Sequence, residues 1–292
     1  MLETNQNQFF EQLLFQTLGE QVRLNSFSFK SGGCINNAVQ LNTSKGNYLV
    51  KYNSTYDGSM FDLEAKGLRL LKEAREIRVP GVYGYGQTDQ KNYILMEYID
   101  SQRPDPNYWE MLGHGLARLH QHSKSQHGLE EDNFIGRLPQ KNSFYDNWVN
   151  FFIENRLNVQ LGLALYNGKV DQQFVDDFKS IYKRLPDILP DENPALLHGD
   201  LWSGNVMIDD KGEPCLIDPA VYYGNREIEI SFTFLFGGFD DRFYRAYDNL
   251  LPLREGFMER VEIYNLYPLL VHLNLFGNSY LEAIRRIIKK LQ

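Results

Sequence analysis

The dominant hydrophobic repeat of this chain changes at residues 100–106. Before that segment, short apolar runs read as strands: Phe27 and Phe29 alternate with Ser, and Val39-Gln40-Leu41-Asn42 and Tyr48-Leu49-Val50-Lys51 follow. A period of two places one face of a strand against a core. A polar turn at residues 43–47 separates the second and third runs, and further apolar runs at 81–86 and 93–99 read as two more strands. Two stretches of the same region have helical spacing. Residues 7–19 put Phe10, Leu13, Leu14, Thr17 and Leu18 on one stripe, and residues 59–77 do so with Met60, Leu63, Gly67, Leu70, Leu71 and Ala74. The second of these helices is expected to run almost to Val79-Pro80, since the residue before a proline avoids helical backbone angles. Beyond the two prolines of residues 100–106 the pattern is helical over about 107–122, 144–165, 171–185, 226–236, 240–250 and 255–290. One β-hairpin interrupts it, residues 206–208 and 214–217 around Asp209-Asp210-Lys211-Gly212. A β-rich start and a helical remainder predict an α+β chain in two lobes: residues 1–99, a linker at 100–106, and residues 107–292.

Charge and cysteine content narrow the partners. Thirty Lys and Arg against 38 Asp and Glu give a net charge of −8. Without a long basic run, such a chain is poorly suited to nucleic-acid phosphates or an anionic membrane surface. No apolar stretch approaches the length of a membrane span, and the N-terminus lacks a basic segment followed by an apolar run. Only two cysteines occur, Cys34 and Cys215, with no metal-ligand spacing around either. These features predict a protein of the reducing cytoplasm.

The chemistry concentrates in His198-Gly199-Asp200-Leu201-Trp202-Ser203-Gly204-Asn205, followed by Ile217-Asp218-Pro219. Singly, Asp, Asn and Gly are ordinary turn residues. Together they form a set: Asp200, Asn205 five positions on, and Asp218 thirteen after that, with the hairpin filling the gap. Phosphoryl transfer needs a carboxylate near the attacking hydroxyl and oxygen ligands for the Mg²⁺ that accompanies a nucleotide. Asp200 suits the first task; Asn205 and Asp218 suit the second. His198 is expected to brace the loop. Ser203 is not the nucleophile of a hydrolase elbow, because Leu201 stands where that motif needs glycine.

The nucleotide would be met earlier in the chain. Lys51 ends the run Tyr48-Leu49-Val50-Lys51, and Glu64 follows thirteen residues later on the helix. A strand lysine paired with a helix glutamate can aim its ammonium at phosphates. Ser31-Gly32-Gly33-Cys34-Ile35-Asn36-Asn37 lies between the first two strands. It matches no standard phosphate signature, yet Gly32 and Gly33 allow close backbone approach and Asn36 or Asn37 could donate hydrogen bonds. Glu97, Tyr98 and Ile99 sit at the entrance to the linker, where their backbone groups could meet an adenine.

The whole pattern resembles the fructosamine/ketosamine 3-kinase family, within the aminoglycoside-phosphotransferase-like and protein-kinase-like superfamily. The carrying stretches are Gly32-Gly33-Cys34-Ile35-Asn36-Asn37, Met60-Phe61-Asp62-Leu63-Glu64-Ala65, Asn133-Phe134-Ile135-Gly136 and residues 198–205. Asp218-Pro219-Ala220-Val221-Tyr222-Tyr223-Gly224, Leu235-Phe236-Gly237-Gly238-Phe239 and His272-Leu273-Asn274-Leu275-Phe276-Gly277 complete them. The resemblance implies a bilobal protein-kinase-like fold with a small β-rich N-terminal lobe and a larger helical C-terminal lobe. It implies ATP-dependent phosphorylation of the sugar 3-hydroxyl of ketoamines, free or on glycated protein lysines, leading to deglycation. It casts Asp200 as the catalytic base, Asn205 and Asp218 as Mg²⁺ ligands, and Lys51 with Glu64 as the phosphate-orienting pair. Trp202 would pack its flat face against the sugar. A related kinase of aminoglycosides or choline and a non-catalytic pseudokinase are the alternatives; the complete set of base, metal ligands and Lys/Glu pair disfavours the latter. At residues 225–229 the chain reads Asn-Arg-Glu-Ile-Glu where the family more often has His-Arg-Glu-x-Asp, so Glu229 keeps the charge with a longer reach and is expected to be structural. Cys34, in the glycine loop, is a candidate redox site, able in principle to link two subunits; the protein is otherwise expected to be a monomer. Cys215 reads as strand packing, and the basic end of the last helix as a complement to the helix dipole.

Overall fold

The structure is a computed structural model that describes residues 2–30, 36–54 and 59–292, with side chains from Gln6 onward. It contains two compact units, Met1–Asp105 with Met207–Asp218, and Pro106–Val206 with Pro219–Gln292. The first is built on a five-stranded antiparallel sheet and the second mainly on helices, the α+β class expected from the period change.

In the first unit, helix α1 (Leu2–Leu18) precedes strands β1 (Leu24–Lys30), β2 (Asn37–Thr43) and β3 (Gly46–Asn53). Helix α2 (Ser59–Ala74) and strands β4 (Val82–Thr88) and β5 (Lys91–Glu97) follow. The strand order is β1-β2-β3-β5-β4. Phe9, Phe10, Leu13 and Leu14 of α1 pack on Val39, Leu41, Val50 and Leu95. Because strand side chains alternate, Val50 points to α1 and its neighbour Lys51 to the opposite face. The buried face of α2 is Phe61, Ala65, Gly67, Leu68 and Leu71; Gly67 and Leu71 belong to the anticipated stripe, while its Met60, Leu63, Leu70 and Ala74 are half-buried. That helix stops at Ala74, short of Val79-Pro80, because Arg75 adopts a left-handed φ of 61°.

The hairpin Val206–Ile208 and Pro214–Leu216 forms as expected. Chain order alone puts residues 207–218 with the later region. Their contacts put them with the first: Leu216 N–H donates to the Arg78 carbonyl (2.9 Å), Gln102 N–H to the Asp209 carbonyl (3.2 Å) and Asp105 N–H to the Gly212 carbonyl (2.9 Å).

In the second unit, helix Tyr108–Leu119 lies so close to helix Asp241–Leu250 that a Cβ on Gly113 would come 2.4 Å from the Phe243 carbonyl oxygen. The core is aromatic, with Trp148, Phe151, Phe152, Tyr222 and Tyr264 all buried. The helix expected over 144–165 is interrupted: Trp148–Phe151 passes into a π-helical segment, Phe152–Leu157, before Asn158–Tyr166. Within the wider turn, the Arg156 guanidinium lies 3.9 Å from the Tyr222 ring centroid. The expected 255–290 helix is three helices, Phe257–Tyr264, Leu266–Phe276 and Leu281–Leu291. The second break falls at Gly277, whose φ of 100° no helix accommodates. Two pairs of three-residue strands were not anticipated, Asn133–Ile135 with Leu138–Gln140 and Ala195–Leu197 with Tyr222–Gly224. They are too short to produce a readable alternation. Among the described residues, no helix is long and apolar enough to cross a membrane.

Candidate active site

The strand pair Ala195–Leu197 and Tyr222–Gly224 sets the position of residues 198–205. Leu197 lies opposite Tyr222, and just beyond that pair the Ala220 N–H donates to the His198 carbonyl at 2.8 Å. Gly199 has a φ of +84°, and a Cβ there would come 2.0 Å from the Ala220 carbonyl oxygen, so only glycine fits. Asp200 follows. Its N–H donates to His198 Nδ1 (3.3 Å), so His198 braces the loop from a fully buried position. The Asn205 amide nitrogen donates to the Asp200 carbonyl (2.7 Å) and to its Oδ2 (3.0 Å). The carboxylate is thus oriented by the residue five positions later. Trp202 lies over Gly204, where a Cβ would meet the indole at 2.4 Å, and its ring packs on Phe236 at 6.1 Å between centroids. It is 37% exposed, an aromatic face open to solvent beside the loop.

Glu229 holds this loop from behind. Its Oε2 accepts the His198 backbone N–H (3.0 Å) and its Oε1 the Gly199 N–H (2.6 Å). The ring of His120 reaches the same carboxylate through Nε2 at 2.9 Å. A carboxylate only accepts, so Nε2 carries the hydrogen, and Nδ1 lies 2.7 Å from the Tyr247 hydroxyl. Burial alone would push Glu229 up; the bonds and charge of His120, with His198 and the Gly199 N–H, outweigh it and hold the carboxyl below its usual range. The added methylene relative to aspartate spans the distance to two consecutive backbone amides.

Replacing Glu229 with glutamine is expected to lower the unfolding free energy by about 1–3 kcal/mol, because an NH₂ group would face a buried N–H donor. Denaturant titration checks this. In the parent protein the lowered folded pKa makes the Glu229 contribution fully present above its ordinary 4.5 and lost as the pH falls through the lowered value. The glutamine variant loses that part of the acid sensitivity.

Asp200 opens on a pocket of the second unit lined by Ile135, Tyr222, Phe232, Tyr267, Val271 and His272. Its wall is largely apolar and aromatic. His272 Nδ1 lies 2.7 Å from the Pro268 carbonyl, which requires Nδ1 to be the donor and leaves Nε2 as the acceptor nitrogen. Burial pulls the ring pKa down, against the Pro268 carbonyl, favouring the neutral ring. The rings of Phe236, Phe276 and Tyr280 surround it, with centroids at 4.7, 5.4 and 5.1 Å. Neither the pocket nor a role for His272 was apparent from sequence, although His272-Leu273-Asn274-Leu275-Phe276-Gly277 is among the stretches that carry the resemblance.

In the first unit the Lys51 ammonium bonds Glu64 Oε1 at 2.6 Å and also the Asp218 carboxylate. The pair anticipated thirteen residues apart is therefore present, and Asp218 joins it from 167 positions away. Burial would pull Lys51 down; Asp218 and Glu64 together outweigh it and raise the ammonium above its ordinary range. Burial pushes Glu64 up, Lys51 pulls it back, Asp218 pushes it up again, and the carboxyl ends raised. Asp218 has a φ of 56°, in a region sparsely populated by residues other than glycine. Asn205, in the second unit, commits its amide nitrogen to Asp200, so its oxygen is the atom suited to a cation. An amide oxygen and a carboxylate are each donor types that Mg²⁺ accepts beside phosphate oxygens and water.

The Asn36 amide oxygen accepts from the Asn53 amide nitrogen at 2.8 Å, and its own nitrogen faces Met60 Sδ at 3.8 Å. The Glu97 N–H is bonded to the Gly81 carbonyl (2.7 Å), and its side chain to Arg78 and the Gly81 N–H. That N–H is therefore already engaged within the sheet. Tyr98 lies under the Lys30 ammonium at 5.3 Å, and Ile99 is buried. Gly32, Gly33 and Cys34 lie outside the described residues. Cys215 is fully buried, and burial pushes its thiol up to about 12.

Comparisons with known proteins bear on the same features. The sequence profile of the family described as fructosamine kinase matches residues 6–292. A probable ketoamine kinase of Synechocystis sp. is 38% identical over 282 residues, 96% of this chain and 94% of that one. A chloroplastic protein-ribulosamine 3-kinase of Arabidopsis thaliana is 37% identical over 284 residues, 93% and 84% of the two chains. Among solved structures, a putative fructosamine-3-kinase from Haemophilus somnus 129PT superposes with a TM-score of 0.88 at 30% identity, covering 97% of each chain.

Proposed function

Because the chain belongs to the fructosamine kinase family, we propose that it is an ATP-dependent ketosamine 3-kinase, acting on ketoamines that are free or carried on glycated protein lysines. The observation that carries this reading is Asp200: a carboxylate oriented by Asn205, on a loop held by Glu229, opening on an aromatic pocket. In the reaction Asp200 accepts the proton of the sugar 3-hydroxyl as that oxygen bonds to the γ-phosphorus of ATP. The bond from that phosphorus to the bridging oxygen breaks, and ADP leaves with the electron pair. Lys51, held by Glu64, orients the phosphates. Asn205 and Asp218 would hold Mg²⁺, which supplies neutralisation of phosphate charge when bound. The sugar is placed in the pocket beside Asp200, with Trp202 and the neutral His272 offering flat apolar faces and an acceptor nitrogen. The reading extends to a cytoplasmic enzyme, since a chain with only two cysteines suits a reducing compartment.

The test is ADP release coupled to product NMR. Ribulosamine, erythrulosamine and fructosamine are compared with an aminoglycoside and choline. Turnover confined to ketoamines, with phosphorus on the 3-oxygen, is the expected result. Turnover confined to the aminoglycoside or choline would overturn the substrate assignment, and no turnover with any acceptor would overturn the enzyme assignment.

A further inference from the structure

The first unit contains a charged cluster with no part in the reaction above. Arg78 lies between α2 and β4, and its guanidinium bonds Glu97 Oε1 (2.7 Å) at the end of β5. The same group bonds Asp209 Oδ2 (2.5 Å) and Asp210, both in the turn of the hairpin. The Arg78 carbonyl also accepts the Leu216 N–H at 2.9 Å, two residues before Asp218. Asp209 is fully buried, and its other oxygen accepts the Lys211 and Glu213 N–H groups (2.8 and 2.9 Å), which closes the turn. One arginine therefore joins, through side chain and backbone, the strand end that leads to residues 98–99 and the hairpin that delivers Asp218. Its partners in the hairpin stand more than 130 positions away in the chain. A forked guanidinium is suited to this task, since it presents several donors in a fixed plane while an ammonium is a point charge.

We propose that Arg78 is a positioning residue for the nucleotide, setting the Asp218 hairpin and the end of β5 in fixed register through Asp209, Asp210 and Glu97. The proposal rests on the kinase reading for the identity of that nucleotide. It predicts an effect on ATP, not on the acceptor, because none of these contacts reaches Asp200 or its pocket.

Mg-ATP binding by calorimetry, together with separate KM values for ATP and ketoamine, tests it on the full-length protein. Arg78→Gln is expected to weaken ATP binding roughly tenfold, a size usual for coupling through a positioning residue. The ketoamine KM at saturating ATP should hold. Arg78→Lys, which keeps the charge but not the fork, should recover only part of the affinity, and Glu97→Gln should shift it in the same direction as Arg78→Gln. Unchanged ATP affinity in folded Arg78→Gln, or equal weakening towards both substrates, would overturn the proposal. If circular dichroism shows Arg78→Gln unfolded, Glu97→Gln carries the test, and parental ATP affinity in that variant overturns it. A parent protein that binds ATP but phosphorylates no ketoamine defeats the substrate assignment alone and leaves the ATP readout standing. A parent protein that binds no ATP overturns both.

Discussion

Asp200→Asn reduces kcat by roughly 10²–10⁴, the usual worth of a positioned general base, while Mg-ATP affinity stays at the parental value. The two side chains have nearly the same shape, and an amide oxygen can still accept the Asn205 bond that meets Asp200 Oδ2 at 3.0 Å. The Gly199 turn and its bonds to Glu229 do not involve the Asp200 side chain. The fold should therefore persist, and what is lost is the capacity to take a proton. Rapid-quench measurement of the phosphoryl-transfer step separates this from slower product release. Near-parental turnover in folded protein would remove Asp200 from the mechanism.

The second large effect comes from removing the ammonium between two carboxylates. Lys51→Met keeps the length of the side chain but leaves Glu64 and Asp218 with no shared cation. The expected loss in kcat/KM for ATP is roughly 10²–10³, comparable to deleting a preorganised electrostatic contact to a transferring group. Stability changes as well, with a pH signature. In the parent, the Lys51 contribution is fully present below its ordinary pKa of 10.5 and is lost only as pH rises through the raised folded value. At neutral pH the variant forfeits all of it. Glu64 is already raised by burial, and without Lys51 it rises further. A carboxyl with a raised folded pKa binds more protons folded than unfolded, so stability falls as pH climbs above its ordinary 4.5. The melting deficit of Lys51→Met relative to the parent should therefore widen from acid towards neutral pH. A deficit that stays constant would mean that Glu64 does not take up the proton.

Much of this site could be read along the chain. Lys51 follows the apolar run of a strand and Glu64 lies on the following helix, so the two elements that carry the pair were legible. The hairpin between Asn205 and Asp218 was legible because Asp209-Asp210-Lys211-Gly212 is a turn written in residue types. Glu229 was read as structural. Its actual bonds, to two consecutive amides of the Asp200 loop, depend on a fold that brings residues 30 positions apart together. The missed strands Ala195–Leu197 and Tyr222–Gly224 are three residues each. They exist because they pair with one another over a core of Trp148, Phe151 and Tyr222, and three residues carry no period. The long helix expected over 255–290 failed for the opposite reason. Its apolar residues continue the spacing, while Gly277 breaks the backbone on grounds of dihedral angle.

Local chemistry therefore sufficed for the class of fold, the carboxylate–amide–carboxylate spacing and the lysine–glutamate pair. Turn propensity, strand alternation and helical spacing act over a few residues, and those residues adjoin in the sequence. The tertiary structure alone decided that residues 207–218 leave their neighbours to join the first unit, that Asp218 meets Lys51 and that Arg78 gathers three carboxylates. It also decided that an aromatic pocket with His272 opens at Asp200. Apart from Arg78 with Glu97, 19 positions apart, such contacts span about 70 to 170 positions, where loop-closure entropy grows so slowly with length that sequence distance hardly discriminates among partners. Their selection falls to the packing of the whole core.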